Sequence, residues 1–172
     1  MESINKCLKE WNATIEALGH GKQSILIRTY NTNLKEFLLY PTVSYALKDD
    51  YIGNFQMKHQ SFIETNALPK KEDERTEIKY YAKLENITEK SSLGIGSLKN
   101  FYIWTPEHVK SYLKGRTAYI WALRVYELEE PFMAEPTPGA NKYANLKEEV
   151  SLEGIKPVLS DREFENVLNA VK

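Results

Sequence analysis

The chain has 172 residues, 42% hydrophobic and 27% charged, which suits one domain (residues 1–172) with a sizeable core rather than a disordered or fibrous chain. A net charge of −1 argues against sequence-blind affinity for polyanions and confines any nucleic-acid site to a local basic cleft. Cys7 is the single cysteine, which excludes an internal disulfide and any multi-cysteine metal site; no apolar run approaches the ~18 residues of a membrane span, and residues 1–11 lack the apolar core of a signal peptide, so a cytoplasmic location is expected.

In chain order, Ile4, Leu8, Trp11, Ile15 and Leu18 recur at intervals of four and three, and Ser3 stands where a cap would. This spacing predicts one amphipathic helix over residues 3–18, with Lys6, Lys9, Glu10 and Glu16 mostly off its apolar face. Gly19 and Gly21 supply the left-handed backbone that stops it. Residues 24–27 then predict a buried strand closed by Arg28, and period two puts Arg28 on the side of Leu26. Residues 31–33 are turn-like, residues 36–40 predict a second strand ended by Pro41, and a helical turn is expected over residues 44–47. Residues 54–65 show no clean period.

Residues 69–75 (PKKEDER) predict a solvated charged loop. Over residues 77–84, Ile78, Tyr80, Ala82 and Leu84 alternate with Glu77, Lys79, Tyr81 and Lys83, a strand with the first set inward. Gly94 and Gly96 lack the rest of a phosphate loop and predict a turn over 91–97, and a short strand is expected over 101–104. Thr105-Pro106-Glu107 combines a hydroxyl cap, proline at the first position and an acid in the first turn, predicting a helix to about Leu113 stopped by Gly115. Residues 118–128 are apolar on both faces, as a central strand is, except that Arg124 interrupts one face and must be paired or line a cleft. Residues 131–145, with three prolines and a glycine, predict a long loop. Ser160 and Glu163 form a capping box for a last helix with Phe164, Val167, Leu168 and Val171 on its packing face.

Chemistry-bearing residues are sparse. His20, His59 and His108 lie far apart with no partner at metal-ligand spacing, and Cys7 has no activating pattern around it, so no metal, no cofactor and no nucleophilic cysteine are expected. Asp49 and Asp50 followed by Glu77 and Lys79 resemble the acid and lysine set of metal-dependent nucleases of the restriction-enzyme type, in which carboxylates hold Mg²⁺ and a lysine stabilises charge at the phosphate. An exposed strand face also reads Glu-x-Lys, so this remains the alternative function.

The successive blocks KEWNATIEALGHGKQSILIR, EFLLYPT, FYIWTPEHV, LRVYELEEP and PVLSDREFENVL resemble those of domain-of-unknown-function family 1802, uncharacterised prokaryotic proteins, over nearly the whole chain. The chain departs from that pattern at Ser44-Tyr45, where the family tends to have His-Gln. It also has Ala144-Asn145-Leu146-Lys147 in place of a Gly-Gly-Cys-Lys-Ser-Trp stretch. A shorter resemblance is carried by the helix, the turn Gly21-Lys22-Gln23 and the apolar strand ending in Arg28, which look like the opening of ASCH domains in the PUA-like β-barrel superfamily. That resemblance implies a cleft for RNA or a nucleobase-like ligand, with Gly21, Gln23 and Arg28 in matching places. Gln23 stands where those domains commonly have Lys, and their strand glutamate falls at Leu26, which favours binding over hydrolysis.

The resulting expectation is an α+β fold: a mixed, curved sheet or open PUA-like β-barrel of five or six strands with surrounding helices. Its expected role is a non-enzymatic binding module for RNA or a nucleotide-like small molecule. Gly21, Lys22, Gln23, Arg28, Trp104 and Arg124 are the candidate binding residues. A guanidinium can fork onto phosphate or a guanine edge, an amide can pair with a base and an indole can stack. Trp11, Trp104 and Trp121 are stacking candidates in principle, but all three sit within apolar patterns and are expected to serve the core. A protein-interaction module is the third possibility, which an exposed apolar patch without a basic cleft would favour.

Overall fold

The computed structural model describes residues 2–44, 50–137 and 141–172. In chain order these form β1 (Ser3–Trp11), α1 (Asn12–Gly19), β2 (Ile25–Arg28), β3 (Glu36–Thr42), α2 (Gln60–Thr65) and β4 (Lys71–Glu72). There follow β5 (Arg75–Lys90), α3 (Pro106–Leu113), β6 (Ala118–Ala134), β7 (Tyr143–Ser151), β8 (Lys156–Pro157) and α4 (Asp161–Val171), with 3-10 segments at Tyr51–Asn54, Met57–His59 and Ser92–Phe101. The expected turn over residues 44–47 falls outside the described residues except for Ser44.

All eight strands belong to one mixed sheet in the order β2-β6-β5-β3-β1-β7, with β4 appended to β5 and β8 to β6. The β1–β3 pair is parallel and the others antiparallel. The order has two ends, β2 and β7, so hydrogen bonding does not close the sheet. It is nevertheless curled. Arg28 at the end of β2 forms an ion pair with Glu10 of β1, four steps away along the order. In a flat sheet four steps would separate these strands by roughly 19 Å, at ~4.8 Å each. Bulges in the β5–β6 ladder, between Ile78 and Tyr80 and between Leu84 and Asn86, supply local bends.

Several elements depart from the sequence reading. The helix expected over residues 3–18 is β1 followed by the shorter α1. A register shift between Ile4 and Lys6 breaks the period of two in β1, and Ile4, Cys7, Leu8 and Trp11 are buried at spacings that imitate a helix. Cys7 is fully enclosed, and burial pushes its thiol pKa up to about 12. Pro41 does not end β3. It pairs with Glu10 on the part of β3 beyond its last β5 partner, Tyr81, where a missing N–H interrupts no ladder on that side.

The charged stretch 69–75 is a hairpin in which Lys71 faces Thr76 and Glu72 faces Arg75, and Asp73 and Glu74 both take the positive φ of a two-residue turn. Tyr81, expected outward, is buried, because both faces of β5 are covered: Ile78 and Tyr81 join one core cluster, Tyr80, Ala82 and Leu84 another. The turn over 91–97 is part of the 3-10 segment ending at Phe101, and Trp104 makes an isolated bridge to Phe55 rather than ending a strand. The loop expected over 131–145 is strand at its two ends, since β6 runs to Ala134 and β7 starts at Tyr143.

Candidate functional site

A cleft lies between the curled β1–β2 end of the sheet and α3. Glu10, Thr14, Gln23, Leu26, Ile27 and Arg28 line one side; Tyr102, Trp104, His108, Val109 and Tyr112 line the other. Its cavity is about 60 Å³. That is room for about four or five waters, comparable with one planar heterocycle.

Each wall is held by an identifiable local structure. Gln23 sits in the turn after α1, where Gly21 adopts φ +72° and the amides of Lys22 and Gln23 donate to Ala17 O. Its side-chain Nε2 donates to Ile25 O at 2.8 Å, which sets the amide's orientation. Arg28 ends β2, donating from Nη1 to Ile27 O and from Nη2 to Glu10 Oε2. Burial opposes the guanidinium charge, but Glu10, Tyr30 and Tyr112 more than offset it and hold the Arg28 pKa above its ordinary value. Across the cleft, Gln56 Nε2 donates to Lys99 O, Tyr102 O and Trp104 O, tying down the segment that carries Tyr102 and Trp104. Tyr102 donates its hydroxyl to Ile95 O, and burial with Glu107 nearby pushes its pKa up to about 12, so it stays a neutral phenol. Trp104 stacks on Phe55 at 4.2 Å and on His108 at 4.5 Å with an interplanar angle of 14°. His108 is placed by the Thr105 cap, whose Oγ1 accepts from His108 N.

Two residues of this lining each carry an enclosed polar atom with no hydrogen-bond partner among the described residues, Thr14 Oγ1 and Gln23 Oε1. Their residues are 2% and 3% exposed. A buried unpaired polar group costs roughly 1–3 kcal/mol.

Of the expected binding residues, the cleft brings together Gln23, Arg28 and Trp104. Gly21 shapes the turn without lining the cleft, and Lys22 lies over the Phe62 ring at 5.1 Å. Arg124 is elsewhere. Its Nη2 donates to Leu159 O at 2.8 Å and to Asp161 at 3.0 Å, and its guanidinium lies over the Phe164 ring, so it docks α4 on β6. The two arginines therefore do not share a face. Glu10, Thr14, Gln56, Tyr102, His108 and Tyr112 are the residues that sequence reasoning missed. Glu10 was hidden by assigning β1 to a helix, whereas His108, one turn past a well-marked cap, carried a usable signal.

The nuclease set is not assembled as a metal site among the described residues. Asp49 lies outside them, Asp50 precedes the 3-10 turn at φ 54°, Glu77 faces Lys70 at 3.6 Å, and Lys79 pairs with the buried Glu16 at 2.6 Å. No group of three or more His, Cys, Asp or Glu residues arranged to hold a metal occurs among them. No helix there is long and apolar enough to cross a membrane.

A curled, unclosed mixed sheet with its helices and a cleft at the β1–β2 end defines an ASCH-like α+β fold. The crystal structure of ASCH from Zymomonas mobilis is similar at TM-score 0.51 and 12% identity, covering 97% of this chain and 95% of that one. Two point variants of that protein match at TM-score 0.50, with 10% and 11% identity, 97% of this chain and 98% and 96% of theirs. The chain belongs to the family described as Domain of unknown function (DUF1802), whose model matches residues 7–170. No curated protein matches it in sequence.

Proposed function

We propose that this protein is a binding module whose cleft takes a nucleobase-containing ligand, a single-stranded RNA segment or a nucleotide, without catalysing a reaction on it. The observation that carries the reading is a cleft in which Arg28, paired with Glu10, shares the lining with the rings of Tyr102, Trp104, His108 and Tyr112. Heterocycles suit such a site, because a base offers a π-face to rings and hydrogen-bonding groups along its edge. Arg28 adds charge-assisted donors. The likeness to ASCH domains supports the same class of ligand. A soluble, cytoplasmic protein is the matching expectation.

The test is titration of single-stranded RNA oligomers and nucleotides into the parent protein at two salt concentrations, beside a Glu10→Gln/Arg28→Gln double variant. The double change avoids stranding a half-buried charge, as removal of Arg28 alone would. Micromolar or tighter binding by the parent, weakened about ten-fold or more in a variant that still melts cooperatively, is the expected result. Absence of binding, or equal binding by the variant, sinks the reading.

A further inference from the structure

Building on the base-binding reading of this cleft, we propose that Lys142, with the hydroxyls of Tyr30 and Thr32, forms a phosphate subsite beside it, so that the ligand is a nucleotide rather than a bare nucleoside. The placement starts from the backbone. Lys9 N donates to Lys142 O at 2.8 Å and Leu8 pairs with Tyr143, so the β1–β7 ladder sets Lys142 beside Lys9, the neighbour of Glu10, whose carboxylate holds Arg28. Side chains close the rest of the gap. The Arg28 guanidinium lies over the Trp121 ring at 5.9 Å, and Tyr30 meets the same ring at right angles, 5.7 Å between centres. Tyr30 is also a side-chain hydrogen-bond partner of Arg28. Lys142 Nζ then lies 3.6 Å from the centre of the Tyr30 ring. The Tyr143 hydroxyl donates to Thr32 Oγ1 at 3.1 Å, which fixes the turn after Tyr30 against the start of β7.

Charge and hydrogen-bond polarity suit an anion there. Glu10 and Arg28 are the cleft-lining residues with fixed charge and they neutralise each other, so the cleft itself holds no surplus for a phosphate. Lys142 supplies one: it is exposed and forms no ion pair with an acid among the described residues. The neutral groups beside it are left as donors. Tyr30 faces a guanidinium, which can only donate, so its own hydroxyl proton is free, and burial raises its pKa and keeps that proton in place. Thr32 Oγ1 accepts from Tyr143 and from Leu34 N, which leaves its proton free as well. A lysine point charge with hydroxyl donors is a set that phosphate oxygens recruit.

The experiment is calorimetric titration of the common ribonucleosides, their 5′- and 3′-monophosphates and a dinucleoside monophosphate at about 50 and about 200 mM salt, into the parent, Lys142→Gln and Lys147→Gln. Both lysines are exposed, so both variants should melt with the parent. Lys147 is the control: further along β7 by roughly 17 Å, it lies beyond the Debye length of about 10 Å at about 0.1 M salt. Monophosphates should bind roughly ten-fold or more tighter than the matching nucleosides, with an advantage that narrows at the higher salt. Lys142→Gln should cut that advantage about five-fold or more while changing nucleoside affinity by less than about two-fold, and Lys147→Gln should leave both as they are. A dinucleoside monophosphate that gains as much as the monoesters assigns the subsite to an RNA backbone, and a gain confined to the monoesters assigns it to free nucleotides. Equal affinity for nucleoside and monophosphate, an advantage that survives Lys142→Gln, or an equal loss in the two variants overturns the phosphate subsite and leaves the base-binding reading standing. Failure of every nucleoside, nucleotide and RNA oligomer to bind overturns both.

Discussion

Glu10 and Arg28 bear two duties, since their ion pair spans the gap between β1 and β2 and the same side chains line the cleft. Nearby residues show how closely the interior is fitted. A Cβ on Gly19 would meet the Tyr80 ring at 2.1 Å, so this glycine is required by close approach, not by the left-handed backbone expected for it; that conformation belongs to Gly21. Trp11 is fully enclosed, donates Nε1 to Ala67 O at 2.9 Å and meets the rings of Phe55 and Tyr51. Trp11→Ala should therefore cost about 3–5 kcal/mol, as large aromatic truncations in packed cores do. Urea unfolding measures it, and a loss below about 1 kcal/mol would show that the ring is not enclosed.

At the scale of elements, helices α3 and α4 are the parts whose local chemistry dictates their start. Ser160 accepts from Glu163 N while the Glu163 carboxylate accepts from Ser160 N, a complete capping box, and Phe164, Val167 and Val171 then face the core. Ser160→Ala should destabilise the protein by about 1 kcal/mol in urea unfolding. The backbone and side-chain hydrogen bonds of Ser160 hold the Glu163 carboxyl below its ordinary value of 4.5. A depressed carboxyl means that the folded state binds its proton less readily than the unfolded chain. The contribution of the Glu163 carboxylate to the cap is then present at neutral pH and is lost as pH falls from that ordinary value through the folded one. The stability difference between parent and Glu163→Gln, followed from about pH 6 to about pH 3, should shrink with acidification. A difference that stays constant across that range would show that Glu163 does not engage the cap.

Across the whole molecule, the long β5–β6 ladder runs from Thr76–Ala134 to Lys90–Ala118, with neighbours on both sides in β2 and β3. Edge strands open more easily than enclosed ones, because one row of their backbone groups has no ladder. Native-state hydrogen exchange should find the slowest amides in β5 and β6 and faster ones in β7, which among the described residues pairs only with β1. Slowest exchange in β7 would mean that its outer edge is covered in solution.

What the sequence by itself determined are the elements whose signal is local or uninterrupted. The Thr105 and Ser160 caps, the alternation before Leu84, the doubly apolar run from Ala118 and the turn into Arg28 were each legible, because each depends on residues within a few positions. They suffice for an α+β fold with a curved sheet. They also put Gln23, Arg28 and Trp104 forward as site residues. Only the tertiary structure decided the rest. Residues 3–11 became a strand because β3 and β7, far along the chain, supply its ladders on both sides, and a bulge disguised its period. Arg124 went to α4 instead of the cleft because β6 packs that helix where the guanidinium emerges. Glu10, Thr14, His108 and Tyr112 meet Arg28 only when the sheet curls, and curling follows from bulges and cross-sheet pairing that no short stretch encodes.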